Sequence, residues 1–282
     1  MVIRVYKSFC ENILKRLFLF LIAIIIAVPA VLFAGIVEKD LSGFFEEEGF
    51  EGCFILKNLQ NGSQIIYNEP RTTEAFLPAS TFKILNSLIA LETGVVEDEN
   101  TVFTWDGKKR LLDKWNRDLD FKTALKFSAV WVYQDIARRV GEERMQEWVT
   151  KVDYGNKDIS GGIDLFWLQG GIRITPKQQI EFLEKLVKDE LPFSKQNMAI
   201  VRSMMENEQS GEYVLYGKTG WAARVKPNIG WYVGFVTKGD DTYVFVSNFV
   251  HLGEEPPQWF SNVGKKMTIR ILDHLGAWEE SE

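Results

Sequence analysis

Ser80-Thr81-Phe82-Lys83 sets a hydroxyl and an amine three positions apart at the head of a helical pattern over residues 81–92, where Phe82, Leu85, Leu88, Ile89 and Leu91 are apolar. Residues three apart share a helix face, so the Lys83 amine can reach the Ser80 hydroxyl. The Ser80 N–H, in the first turn, has no helical acceptor and can point at a developing oxyanion. A neutral lysine is an adequate general base, and desolvation lowers its pKa toward that role. An isolated S-x-x-K is more often a capping serine followed by a solvated lysine. Here, of thirteen serines, only Ser80 has a lysine three positions on, and Phe82 sits in apolar company.

Lys218-Thr219-Gly220 occurs once, before a turn and an apolar strand pattern starting near Ile229. On a strand edge it offers an ammonium and a hydroxyl to a cleft, while glycine admits a substrate close to the backbone. Between the two motifs lies Ser128-Ala129-Val130 in a helical context, whose hydroxyl can relay a proton to a leaving nitrogen. Alone, that triplet says little. Two histidines, His251 and His274, and two cysteines, Cys10 and Cys53, lack the spacing of a zinc cage, so no metal site is expected. A Ser-His-Asp triad has almost nothing to draw on, which leaves serines, lysines, carboxylates and backbone for any chemistry.

An S-x-x-K followed by K-T-G is a signature of serine β-lactamases and penicillin-binding proteins. Beyond it the chain resembles the class D, or oxacillinase-type, serine β-lactamases. The matching stretches are Pro78-Ala79-Ser80-Thr81-Phe82-Lys83, Trp115-Asn116-Arg117, Phe127-Ser128-Ala129-Val130, Tyr154-Gly155-Asn156, Phe166-Trp167-Leu168, Lys218-Thr219-Gly220 and Gly230-Trp231-Tyr232-Val233-Gly234-Phe235, in the family's order.

The resemblance implies a mechanism. Lys83 would be N-carboxylated by CO2, which needs a neutral amine in an apolar pocket, and Val130 fits by standing where class A enzymes carry asparagine. No organic cofactor or metal is implied. Trp167 would hydrogen-bond the carbamate, which would deprotonate Ser80 for acylation and then water for deacylation. The backbone N–H groups of Ser80 and Trp221 would form the oxyanion hole. Ser128 would relay a proton to the lactam nitrogen in the field of Lys218, and Lys218 with Thr219 would meet the substrate carboxylate. Val130, Trp115, Leu168, Gly220, Trp221 and Arg224 complete the expected substrate contacts. One feature departs from the pattern: the arginine that class D enzymes usually carry ahead of the closing helix has no counterpart near Gly264. Arg224 and the pair Lys265-Lys266 are the candidates to compensate.

The elements that must hold these groups follow from periodicity. Gly52-Cys53-Phe54-Ile55-Leu56 and Ser63-Gln64-Ile65-Ile66-Tyr67 read as strands joined across Asn61-Gly62. Helical patterns cover 119–140 and 176–188; strands return at 213–216, 229–236 and 242–249, before an amphipathic helix near 263–275. Strands at both ends with helices between predict an α+β fold: an antiparallel sheet flanked by helices, with an inserted mostly helical subdomain, as in serine β-lactamases and penicillin-binding transpeptidases. A cleft between the two parts is the default ligand site.

The 282 residues are 46% hydrophobic and 26% charged with 20 Phe and 9 Trp, enough for a sizeable core. A net charge of −6 makes nucleic acid an unlikely partner. Arg4, Lys7, Lys15 and Arg16 precede an uncharged run from Leu17 to Val37, which reads as a signal peptide or N-terminal membrane anchor over 1–37, with Ala30 and Ala34 as small residues for cleavage. Residues 38–282 would then be one exported catalytic domain, in the bacterial periplasm, touching membrane only through that segment. Cys53, alone in the exported part, is expected in the core. The reading is a β-lactam hydrolase, penicillins being the leading substrates; monomer and homodimer are both left open. Its rival is a β-lactam sensor or penicillin-binding protein that acylates and stays acylated. Sensors usually follow several membrane helices, whereas here one hydrophobic segment is evident.

Overall fold

The computed structural model describes residues 35–253 and 260–279. The targeting segment read at 1–37 lies outside these apart from its last three residues, and the final two of its apolar run belong to strand β1, Ile36–Glu38, so the sheet begins before the boundary drawn after Val37. Among the described residues no helix is long and apolar enough to cross a membrane.

Among the described residues seven strands form one sheet: β1, β2 (Phe50–Asn58), β3 (Gln64–Tyr67), β6 (Glu206–Ser210), β7 (Tyr213–Ala222), β8 (Ile229–Lys238) and β9 (Asp241–His251). Their spatial order is β1-β3-β2-β9-β8-β7-β6, antiparallel throughout except that β1 runs parallel to β3. The expected antiparallel sheet is therefore mixed at one edge. The β2–β3 hairpin turns through 58–63 with Gly62 at φ 72°, a longer loop than a two-residue turn.

Side chains alternate across the sheet, and both faces are covered. Ile55, Trp231, Val233, Phe235, Val244 and Val246 face a helical layer, whereas Phe54, Leu56, Tyr232, Val236, Phe245 and Phe249 face α1 (Ser42–Glu47) and the closing helix α9 (Phe260–His274). The helical layer lies between β3 and β6 in sequence and comprises α2 (Lys83–Glu92), α3 (Phe121–Lys126), α4 (Val130–Val140), α5 (Glu142–Lys151), α6 (Phe166–Gln169), α7 (Pro176–Val187) and α8 (Lys195–Met204). That is the predicted α+β plan with its helical insertion. A small pair, β4 (Val102–Phe103) with β5 (Leu119–Asp120), sits within the insertion. Cys53 is fully buried and free, and burial pushes its thiol up to about 12, so it is an inert core residue.

The continuous helix expected over 119–140 is broken, and the break carries a site residue. Asp120 caps α3 by accepting from Thr123 N, and α3 stops after Lys126 in a Schellman arrangement: Ala129 N–H donates to Ala124 O and Ser128 N–H to Leu125 O. The left-handed position that usually takes glycine is Ser128, at φ 55°.

Candidate active site

Ser80 stands in a 3-10 turn, Ala79–Phe82, that runs straight into α2, rather than in the first turn of an α-helix. In a 3-10 turn residues i and i+3 eclipse, and Lys83 Nζ lies 2.7 Å from Ser80 Oγ. Ala79 enters the turn at φ 48°, a left-handed conformation costly for a residue with a Cβ. Lys83 is fully buried. Burial, and then the charge of Lys218, holds its amine well below the usual lysine range, which favours the neutral base. The ring of Tyr133 lies 5.4 Å from Nζ, and the Tyr133 hydroxyl pairs at 2.8 Å with Ser87 Oγ, which donates to the Lys83 carbonyl.

Lys218 stands on β7 and donates to Ser128 Oγ at 3.0 Å and to the Thr219 carbonyl at 2.9 Å. Burial, with the charge of Lys114 adding to it, pushes this amine down to about 7. The Ser128 turn is pinned from outside by Trp115, whose indole donates to the Phe127 carbonyl at 2.9 Å, while Trp131 donates to the Trp115 carbonyl at 3.0 Å. The contacts that the structure gives Trp115, expected as a substrate contact, tether the turn that presents Ser128.

Thr219 and Gly220 pair with Tyr232 and Trp231 on β8. A Cβ on Gly220 would lie 3.1 Å from both the Pro78 carbonyl oxygen and Thr81 Cγ2, so glycine here lets β7 approach the Ser80 turn. Trp221 follows at the end of β7 with its indole on Asn228 Oδ1 at 2.7 Å. Trp167 and Leu168 lie on the four-residue helix α6. Trp167 stacks on Phe82, ring centroids 5.6 Å apart, and its buried Nε1 has no acceptor among the described residues. Val130, half-buried, is the first residue of α4. Arg224 is exposed on the loop after β7, its guanidinium on Gln169 Oε1 at 3.3 Å.

The structure therefore joins Ser80 with Lys83 and Ser128 with Lys218, and packs Gly220 on the Ser80 turn. It does not bring the lysine pair of α9 into the same set of contacts. Lys265 is bound to Glu208 on β6 at 2.5 Å and Lys266 is exposed. The histidines stand apart too: His251 Nδ1 accepts from Gly253 N–H, and His274 packs on Phe44. Sequence reasoning missed Lys114, three residues after an exposed Leu111, whose ammonium lies 5.3 Å from the Phe127 ring centroid. A cation beside an aromatic next to Ser128 was its only signal, and it needs the fold to be seen. A cleft of about 420 Å³ against β4 and α4, lined by Phe103, Asp106, Arg110, Trp131 and Arg138, includes none of the expected site residues.

Comparison with known proteins agrees with this geometry. Residues 52–265 match the penicillin-binding-protein transpeptidase domain. The β-lactamase OXA-48 of Klebsiella pneumoniae is 46% identical over 229 residues, covering 81% of this chain and 86% of its own. A class D β-lactamase structure from Nostoc superposes with a TM-score of 0.80 at 42% identity, over 85% of this chain and 99% of that one. The C-terminal domain of the Bacillus licheniformis BlaR penicillin receptor superposes with a TM-score of 0.82 at 30% identity, over 86% and 98%.

Proposed function

This chain belongs to the penicillin-binding-protein transpeptidase family and, within it, to the class D β-lactamases, and we propose that it opens the β-lactam ring through an acyl-enzyme on Ser80. The observation that carries the reading is the fully buried Lys83, its amine 2.7 Å from the Ser80 hydroxyl and held by burial well below the usual lysine range.

Ser80 Oγ attacks the lactam carbonyl as its proton passes to the base at Lys83. The oxyanion faces the N–H groups of Ser80 and Trp221. As the ring C–N bond breaks, Ser128 gives its proton to the nitrogen, and protonated Lys218 resupplies it across 3.0 Å. An amine with a pKa of about 7 exchanges protons readily near neutrality. Thr219, with Arg224 at the rim, receives the substrate carboxylate, while Val130 and Leu168 keep the lysine side of the site apolar.

The surroundings of Lys83 suit carboxylation by CO2: a desolvated amine held well below the usual lysine range, and an indole N–H on Trp167 that has no acceptor among the described residues, its ring stacked on the adjacent Phe82. A carbamate there would supply a general base whose oxygens accept from Trp167 and which serves both halves of the reaction. Activity is then expected to fall in CO2-depleted buffer and return with bicarbonate; independence from bicarbonate between pH 5 and 8 would leave Lys83 as a plain amine base.

The receptor domain's equally close superposition makes a sensor the second reading. Stopped-flow assays with a chromogenic cephalosporin separate the two. Many turnovers per enzyme are expected, whereas one burst with a persistent adduct on Ser80 would make the chain a receptor. Export through the segment at 1–37, into the periplasm, belongs to the same proposal. N-terminal sequencing of protein from its host is expected to begin at Gly35, one residue before β1; retention of Met1 would make the segment an anchor.

A further inference from the structure

The two oxyanion donors in this reading come from different elements, the Ser80 N–H from the 3-10 turn and the Trp221 N–H from the end of β7. Their spacing depends on how the stretch from Leu77 to Thr81 docks on β7 and β8. Most of that junction is non-directional. Leu77, Ala79 and Ala222 form a small buried apolar cluster with Val225 and Ile229 beside it, and Gly220 meets Pro78 and Thr81 through contact alone. Dispersion and burial hold such surfaces together without fixing their register. The turn also carries its own strain, with Ala79 at φ 48°, and strained residues persist only where the surroundings over-determine them.

One directional link crosses this junction among the described residues. Trp231, fully buried on β8 and paired in register with Gly220, donates from Nε1 to the Leu77 carbonyl at 2.9 Å. The ring is itself fixed, with Phe76 edge-on at 6.1 Å and the Arg71 guanidinium 4.5 Å from the Phe76 centroid. Buried, that hydrogen bond resists displacement in both length and angle. We infer that Trp231 is a positioning residue for the oxyanion hole, holding the left-handed approach to Ser80 at a set distance from the N–H of Trp221. The inference rests on the β-lactam reading above. It reaches a residue that touches neither substrate nor the reacting atoms.

Trp231→Phe removes the N–H and keeps an aromatic body; site-specific replacement by benzothienylalanine removes it with the ring shape nearly unchanged, which covers the case in which the phenylalanine variant does not fold. Phenylboronic acid, which forms a tetrahedral adduct on a nucleophilic serine, reports the oxyanion hole directly. Loss of one oxyanion donor costs about 10²–10³ in rate, so a displaced one is expected to cost about tenfold. Both kcat/KM and boronate affinity should fall by that factor together. Benzylpenicillin binding measured by calorimetry on the Ser80→Ala background should be unchanged by the second substitution, which separates this role from mere stabilisation of the fold. Unchanged boronate affinity in both variants, or an equal loss of benzylpenicillin binding on the Ser80→Ala background, would overturn the inference. A wild-type protein that neither turns over β-lactams nor takes the boronate would instead remove the reading beneath it.

Discussion

The site holds two lysine–serine pairs that are alike in geometry and arise differently. Lys83 and Ser80 are three residues apart and meet at 2.7 Å because one turn of 3-10 helix eclipses them. Lys218 and Ser128 are ninety residues apart and meet at 3.0 Å only because β7 is held between β8 and the edge strand β6 while a Schellman stop holds Ser128 at φ 55°. Both amines are buried. Burial lowers Lys83 with the charge of Lys218 adding to it, whereas Lys218 keeps a carbonyl acceptor, Thr219 O, and comes down to about 7 with help from Lys114. The pair made locally feels the surface only through Lys218, whose charge adds to the burial of Lys83; the pair made by tertiary structure lies near neutrality and answers directly to the charge of Lys114.

Removing the serines should separate the two pairs most widely. Ser80→Ala is expected to abolish both the acyl adduct and turnover, a loss on the order of 10⁶ for a nucleophile acting with its base. Ser128 variants should lose about 10²–10⁴, the range of a single positioned proton donor. Because Ser128 occupies a left-handed position, Ser128→Gly should stabilise the turn and Ser128→Ala should not, by roughly 1 kcal/mol in opposite directions. Equal kinetic losses from the two would assign the effect to the hydroxyl. Recovery in the glycine variant would show that backbone geometry, not proton transfer, is what Ser128 supplies.

The second pair should also move directly with Lys114, and the first only through the charge that Lys218 carries. If protonated Lys218 resupplies Ser128, activity falls as pH rises through about 7. Lys114→Gln removes a like charge, raises the Lys218 pKa and shifts the alkaline limb of kcat/KM upward; Lys114→Glu should shift it further. A limb that stays in place in both variants would break the link between the surface charge and the relay.

These pairs differ in the same way in how far the sequence discloses them. The Ser80–Lys83 contact is local, so spacing alone predicts it, and strand patterns likewise predict β2, β3, the start of β7, β8 and β9, while the order of strands and helices along the chain predicts a sheet flanked by helices. Ser128 was found as a motif, yet its mechanical basis was hidden: a periodic pattern over 119–140 runs through the break, because serine replaces the glycine that would have marked it. The short edges β1 and β6, and the helices α1, α5 and α8, went unread because their burial is partial or depends on partners distant in sequence. Lys114 and Trp231 act through space, on Lys218 and on the Leu77 carbonyl, and nothing in their local spacing announces it.

A smaller effect tests the buried amines through stability. In the unfolded chain Lys218 titrates near 10.5 and in the folded protein near 7, so between those values the unfolded chain binds more protons and stability climbs with pH. Below about 7 both forms hold the proton and the full cost of burying the charge is present. Lys83, lowered by burial too, adds a slope of the same sign. Between pH 7 and 9 the wild-type Tm should therefore rise relative to Lys218→Met, and the variant should be more stable than wild type at pH 7. Parallel Tm curves would mean that Lys218 is charged and compensated in the folded state.

The smallest expected effect concerns the substrate carboxylate. At Gly264, where an arginine was expected, a Cβ would fall 1.8 Å from Phe249 Cζ, so no side chain fits unless that ring moves. Lys265 is committed to Glu208 on β6, and Lys266 is exposed on the same helix. Arg224 differs from both: its guanidinium leans on a neutral amide, Gln169 Oε1, at 3.3 Å, on the loop that follows Thr219 and Gly220. A carboxylate offers the guanidinium a charge-assisted, two-pronged bond in place of a long neutral one. Arg224→Gln is thus expected to raise KM for penicillins about tenfold, a loss of about 1.4 kcal/mol, with circular dichroism and Tm unchanged. Arg224→Lys should recover part of it with a steeper salt dependence, because a point charge lacks the fork. Lys265→Gln, Lys266→Gln and their double variant should move KM less than about twofold, since a rim charge already paired or solvated contributes little. If Arg224→Gln leaves KM in place, Lys218 and Thr219 hold the carboxylate unaided, and the local and long-range halves of the site suffice without a rim cation.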